Sequence, residues 1–266
     1  MRLQNKVIIV TGSTTGIGKA IALHCAAEGA SIVLNGLEEA WGNEVLAGLG
    51  TDKAALHIED ISEDGAPERL VALALSKFGR LDAVVNNAAI VASSNIHTTD
   101  KAFLQRLLTV NTIAPFLLIK AALPHLSAQH GCVLNIGSVN AYSGEPNLFA
   151  YSVSKGALMT MTKNLGDTLH RENGVRVNQV NPGWVLTETE IQRKKEHGLS
   201  EEWYKELPGV YAPAGRILKP AEIAAAVVYW LSDESGPISG QVVDLEQYPI
   251  LGRNPPKDTS TINSPK

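Results

Sequence analysis

Tyr151 and Lys155 stand four residues apart, so a helix would set the phenol and the ammonium on one face with a rise of roughly 6 Å between them. Ser138 follows an apolar run that ends at Ile136, and Asn111 puts one amide into an otherwise largely apolar stretch. A phenol, an ammonium, a hydroxyl and an amide have acid, base and hydrogen-bonding character, although a Tyr and a Lys at this spacing carry little weight by themselves. They become a site if the fold brings all four to the carboxyl side of one sheet, where open α/β folds bind ligands.

A second group is the loop Thr11-Gly-Ser-Thr-Thr-Gly-Ile-Gly18. Gly12 permits a tight turn, Gly16 close backbone approach and Gly18 close helix-to-sheet packing beside a pyrophosphate at the helix N-terminus, with Thr14, Thr15 and Ile17 as further cofactor contacts. A glycine-rich turn without a nucleotide is the alternative, weakened by the strand before it and the helix after it. Asn35 ends the second strand, where a dinucleotide site commonly has an acid for the adenosine ribose, and its amide could bond those hydroxyls. Neither Leu37 nor Thr15 carries a positive charge for a 2′-phosphate, so NAD is expected rather than NADP. Asp60 and Ile61, just past another strand, suit adenine's amine and ring face or, equally, a solvated loop. Ala88 and Ala89, after Asn86 and Asn87, would admit a cofactor's backbone or merely end a strand.

The elements that must position these groups are legible as a repeat. Lys6 to Val10 reads as a buried strand because its apolar residues follow without polar alternation. Further strands are expected at 31–34, 55–58, 81–85, 133–136, 175–180 and 241–243, with helices at 20–28, 67–77, 103–123, 152–169 and 222–231. This is the pattern of an α/β Rossmann-type doubly wound parallel sheet with helices on both faces. One domain over residues 1–252 accounts for it, with a lid or pocket wall at 186–218 and a tail at 253–266. With 23 Lys and Arg against 27 Asp and Glu, no polybasic field draws the chain to nucleic acid or to an anionic membrane. No apolar run approaches the roughly 20 residues of a spanning helix. Cys25 and Cys132 lie far apart and no apolar leader follows Met1, so a soluble, cytoplasmic protein without disulfides or a metal site is expected.

Thr11 to Gly18, Asn86-Asn-Ala-Ala89, Asn111, Ser138, Tyr151-Ser-Val-Ser-Lys155 and Pro182-Gly183, in this order within residues 6–244, together resemble the classical short-chain dehydrogenase/reductase family. The resemblance implies a nicotinamide cofactor, hydride transfer and, often, a homotetramer. It makes Tyr151 the catalytic acid/base. Lys155 would hold the nicotinamide ribose and lower the pKa of a phenol that is otherwise about 10. Ser138 would orient the reacting oxygen, and Asn111 would complete a water-mediated proton path. Cofactor contacts are implied for Asn87, Ala88, Pro182, Gly183, Val185 and Thr187; taken alone, Pro182-Gly183 is a turn and Thr187 a helix cap. Val33-Leu-Asn-Gly36 is similar to NAD-dependent 3-hydroxybutyrate dehydrogenases.

Candidate substrate contacts are Ser93, Ser138, Asn140, Glu145, Asn147, Tyr151, Trp184, Glu188 and residues 191–211. Their polarity favours a neutral small-molecule alcohol such as a sugar or polyol, and a hydroxy acid gains if Arg193, Lys194 or Lys195 enters the pocket. Where the family often continues Val-Asp-Gly-Gly, this chain has Val243-Asp-Leu-Glu-Gln247, so Glu246, Gln247 and Tyr248 are expected at a pocket or interface, and Arg253 as an anchor for the tail. Three alternatives stand beside the NAD-dependent dehydrogenase: an NADP-linked carbonyl or 3-oxoacyl reductase, a 3-hydroxy acid dehydrogenase, and a nucleotide-binding regulatory protein without turnover.

Overall fold

The computed structural model describes residues 1–196, 198–200 and 202–251, so Arg253 and the expected tail lie outside the described residues. Within them the strands are β1 (Val7–Val10), β2 (Ser31–Gly36), β3 (Ala54–Ile58), β4 (Ala83–Asn86), β5 (Cys132–Ile136), β6 (Arg176–Pro182) and β7 (Val242–Leu245). They form one all-parallel sheet in the order β3-β2-β1-β4-β5-β6-β7. The helices are α1 (Gly16–Ala27), α2 (Glu39–Leu49), α3 (Ala66–Phe78), α4 (Lys101–Leu108), α5 (Ala114–Ala128), α6 (Phe149–Asn173), α7 (Glu188–Glu196) and α8 (Pro220–Leu231).

Alternation along β1 explains its unbroken apolar run. Ile8 and Val10 pack with Ile21 of α1 and Val227 of α8, whereas Val7 and Ile9 pack with Leu70 of α3 and Leu118 of α5. Each strand residue is thus buried on one face or the other, as two helical layers require. The chain runs outward from β1 to β3 and then returns past β1 to β4. That reversal opens a crevice at the carboxyl ends of β1 and β4, the switch point at which doubly wound folds bind ligands.

Two elements differ from expectation. Helix α2 is absent from the sequence pattern because only Gly42 and Val45 on it are buried, too few to mark a face. The helix expected at 103–123 spans Lys101–Ala128 and is widened at Thr109–Ile113 into a π turn that contains Asn111. This joined run corrects the statement that no segment approaches membrane-spanning length: its 28 residues are long and apolar enough by length and composition. Leu118, Ile119, Ala122 and Leu126 nevertheless lie buried against the sheet.

A row of buried polar side chains crosses β4 to β7. Asn86 donates to Asn135, Asn135 to Thr162, Thr162 to Gln179 and Gln179 to Asn181, at 2.7–2.8 Å. Asn181 donates to Asp244 at 3.0 Å, as does the hydroxyl of Tyr142. Asn181 Oδ1 also accepts the Ser138 N–H at 3.2 Å, so the row holds the loop after β5 in place.

Candidate active site

The glycine loop leaves β1 and enters α1 in the manner its residue types require. Gly12 and Gly16 have positive φ, 61° and 52°, open to glycine at no steric cost. A Cβ on Gly18 would come within 2.1 Å of the Gly12 carbonyl oxygen, so α1 sits on the loop at a distance only glycine allows. Thr15, the N-cap of α1, makes no side-chain cap, and the first turn holds no acid, which leaves the leading N–H groups for an anion. These features fit the pyrophosphate of a dinucleotide. Asn87 fixes the loop's shape, donating to the carbonyls of Thr11 and Gly12 at 2.9 Å each, while the Thr11 hydroxyl accepts the N–H of Asn87 and Ala88 at 3.0 Å.

A cavity of about 870 Å³ runs from this loop to the lid. All the expected cofactor residues line it: Gly12, Thr14, Thr15, Gly16, Ile17 and Gly18; Asn35, Asp60, Ile61, Asn87 and Ala88; and Pro182, Gly183, Val185 and Thr187. The roles of two differ from expectation. The Asn35 amide hydrogens go to the carbonyls of His57 and Glu59, at 3.2 and 2.9 Å, so this residue ties β2 to the end of β3 rather than offering them to a ribose. The acid that seemed missing after β2 is Glu38, three residues on; its carboxylate lines the cavity and accepts the Thr14 hydroxyl at 2.6 Å. Asp60 is engaged by Arg106 and Ser62; burial raises its pKa, but these hydrogen bonds outweigh it and hold the carboxyl below its usual range. Thr187 caps α7 through Glu190 N at 3.1 Å and also packs over Gly16, so its cap and cavity positions coexist.

At the far end, α6 carries Tyr151 and Lys155 one turn apart, with Lys155 Nζ 5.7 Å from the Tyr151 ring centroid. Lys155 is buried and donates to the Ile136 carbonyl at 2.7 Å, which brings α6 against the end of β5. Burial pushes the Tyr151 phenol up to about 12, against the hydrogen bond from Ser138 and the positive field of Arg193, which lower it. Burial also pushes the Lys155 ammonium down to about 7. The expected lowering of the phenol by Lys155 is not found: burial dominates, and the groups that oppose it are Ser138 and Arg193.

Asn111 is fully buried and lies behind the cavity. Its Oδ1 accepts Ile90 N at 2.8 Å, and its Nδ2 donates to Ile90 O and to Ser154 Oγ. Its side chain is thus spent on fastening the loop after β4 to α6. Of the substrate candidates, Ser138, Asn140, Glu145, Tyr151 and Trp184 line the cavity. Ser93, Asn147 and Glu188 do not: all three are exposed on the loops and helix end that flank it.

The segment expected as a lid has its own small core of Trp203, Ala212 and Ile217 against Trp184 and Leu186, with the indoles of Trp184 and Trp203 stacked at 5.0 Å between centroids. Arg193 and Lys194 do enter the cavity, together with Glu190, which sequence reasoning missed. Glu190 receives Arg193 at 2.9 and 3.0 Å and the Trp184 indole N–H at 2.9 Å, so the guanidinium arrives already paired. Lys194 Nζ lies 5.2 Å from the Trp184 ring. Tyr248 and Glu246 line the same cavity, and Gln247 bonds to the lid at Ala214 and Arg216.

Residues 12–246 match the protein family described as "Enoyl-(Acyl carrier protein) reductase". An uncharacterized oxidoreductase of Thermotoga maritima is 35% identical over 250 residues, covering 92% of this chain and 98% of that protein. An L-fucose dehydrogenase of Mus musculus is 36% identical over 236 residues, covering 87% and 84%. The solved structure of a 3-ketoacyl-(acyl-carrier-protein) reductase from Brucella melitensis, complexed with NADH, superposes with a TM-score of 0.81 at 28% identity, covering 91% of this chain and 97% of that one.

Proposed function

Because the chain belongs to the short-chain dehydrogenase/reductase family of NAD(P)-dependent oxidoreductases, we propose that it is an NAD-dependent dehydrogenase moving a hydride between a secondary alcohol, a sugar or polyol, and the nicotinamide ring. One observation carries this reading. A single cavity joins a glycine cradle for a dinucleotide to a buried Tyr–Ser–Lys cluster and ends on Asn140, Glu145 and Trp184, an amide, a carboxylate and an apolar ring face suited to hydroxyl-rich carbon.

The glycine loop and the start of α1 would hold the pyrophosphate, Ile61 would offer an apolar contact to the adenine, and Lys155 with the 182–187 segment would hold the nicotinamide end. The nicotinamide supplies the hydride acceptor for oxidation and the donor for reduction. Ser138 orients the substrate oxygen. Tyr151 takes the hydroxyl proton as phenolate in oxidation and returns it as phenol in reduction. Asn111 contributes to the proton path through the π turn that surrounds it.

The phenol's high pKa gives the pH dependence a sign. At neutral pH Tyr151 is protonated and ready as an acid, while the phenolate fraction grows tenfold per pH unit below its pKa. Alcohol oxidation is expected to gain in kcat/KM as pH rises from about 7 to 9, as the phenolate fraction grows. An oxidation profile without that rise would remove Tyr151 as the base.

Glu38 supports NAD over NADP, since a 2′-phosphate would meet its carboxylate. Unit charges 4 Å apart near a protein surface repel by ~1–4 kcal/mol. Glu38→Gln, which keeps the size of the side chain, is expected to narrow the ratio of dissociation constants about tenfold. An unchanged ratio would count against this residue.

A hydroxy acid is the second reading, favoured by Arg193 and Lys194 in the cavity; the pairing of Arg193 with Glu190 argues for a neutral substrate instead. Following NADH formation with sugars, polyols, hydroxy acids and simple secondary alcohols, with Tyr151→Phe as the control, tests both readings. Hydroxy-acid turnover that falls in Arg193→Ala would select the second. Loss of NAD preference would restore the NADP-linked carbonyl or 3-oxoacyl reductase, and cofactor binding without turnover would favour a regulatory protein. We further propose a homotetramer that covers the exposed side chains of Ile113, Phe116, Phe149 and Val153, to be checked by mass in solution. Buried free thiols at Cys25 and Cys132 support a reducing, cytoplasmic setting.

A further inference from the structure

Where β7 ends at Leu245, Glu246 turns over the end of β6. Its Oε2 accepts the N–H of Trp184 at 2.9 Å, and its Oε1 accepts the N–H of Gln247 at 2.7 Å. Gly183 lies directly beneath this carboxylate: a Cβ there would meet Glu246 Oε2 at 1.8 Å. The same residue lines the cavity together with Pro182, Gly183 and Val185. The next side chain, Gln247, accepts Ala214 N at 2.9 Å and donates to Arg216 O at 2.7 Å, so adjacent residues fasten the end of β6 and the far side of the lid.

The chemistry of the two bonds is specific to a carboxylate. Two N–H donors approach two separate oxygens, and an ionised acceptor makes each bond stronger than a neutral one would be. A glutamine of the same size has only one acceptor oxygen, so one N–H would face its NH2 group and lose its partner. Neither bond uses a group from the Tyr–Ser–Lys cluster.

We propose that Glu246 is a positioning residue that sets the Gly183–Trp184 backbone at the nicotinamide end of the cavity and, through Gln247, holds the lid in step with it. This rests on the dehydrogenase reading above. Its loss should be felt in cofactor affinity before it is felt in the stability of the fold, because the carboxylate sits on the cavity rim and not in either core layer.

The test uses the full chain and measures NADH binding by fluorescence, the melting temperature, and separate kcat and KM values. In Glu246→Gln the Kd for NADH and the KM for NAD should rise about tenfold, with the melting temperature lowered by no more than a few degrees. Gly183→Ala should abolish NADH binding on its own and do much less harm in a Glu246→Ala background, where the atom it collides with is gone. Wild-type constants in Glu246→Gln, or equal damage from Gly183→Ala in both backgrounds, overturn the proposal. Parallel loss of melting temperature and cofactor binding in Glu246→Gln overturns it in favour of a purely structural role. A wild-type chain that binds no NADH fails at the earlier step, overturning the dehydrogenase reading and this proposal with it.

Discussion

Tyr151→Phe is expected to lower turnover by about 10²–10⁴-fold, the usual worth of a positioned proton-transfer group, while leaving the Kd for NADH and the melting temperature close to those of the parent chain. The ring is 8% exposed and packs against Leu107, Leu148 and Ala150, contacts that a phenylalanine ring keeps. Only the hydroxyl and its hydrogen bond with Ser138 are removed. Single-turnover kinetics with NAD, alongside NADH titration, separate the two quantities. Turnover within a fewfold of the parent would take the proton-transfer role away from Tyr151.

Within the glycine loop, Gly18→Ala should be the most damaging substitution for cofactor binding. Its methyl group would lie 2.1 Å from the Gly12 carbonyl oxygen and 2.4 Å from Asn87 Nδ2, so either α1 must move off the loop or the Asn87 clamp must open. Overpacking of this kind costs ~1–3 kcal/mol, and the displaced N–H groups are those expected to meet the pyrophosphate. A rise of more than about tenfold in the Kd for NADH is expected, together with a lowered melting temperature. Gly48→Ala is the control: it lies in α2 with nothing within 4 Å of the added carbon, and it should stabilise the chain by ~0.5–1 kcal/mol without touching the Kd. Equal effects from the two variants would mean that Gly18 is not a close-approach position.

The strands were legible because their burial on two faces produces unbroken apolar runs, as in Val7–Val10, and the glycine loop because its spacing has few other uses. Burial also explains what was not legible. Helix α2 carries too few buried residues to show a period, and the π turn at Thr109–Ile113 leaves no mark in residue type. Polar residues were the harder problem, since residue type does not say which partner an amide takes. Asn35 and Asn111 turn their amides to backbone carbonyls, whereas Glu38 reaches the cavity from the position after Leu37. Glu38 had one available signal, an acid close behind β2 and matched with a hydroxyl at Thr14. Ser93, Asn147 and Glu188 share the polarity expected of substrate contacts, but they are exposed and do not line the cavity, a placement residue type does not encode.

The buried amide row from Asn86 to Asp244 has a consequence for anyone who redesigns this chain. Its members come from four strands and α6, and each satisfies the next, so a one-residue slip of any strand would turn several desolvated amides toward hydrocarbon at once. The row therefore discriminates against misregistered sheets in a way that an all-aliphatic layer could not. Truncating one member strands its neighbours at a cost of ~1–3 kcal/mol each, whereas exchanging the whole set for apolar groups of matching shape could be nearly neutral in stability. Such an exchange would also remove the acceptor that Asn181 offers to Ser138, so a mutational library at these positions should be scored for pairing fidelity and catalytic competence together.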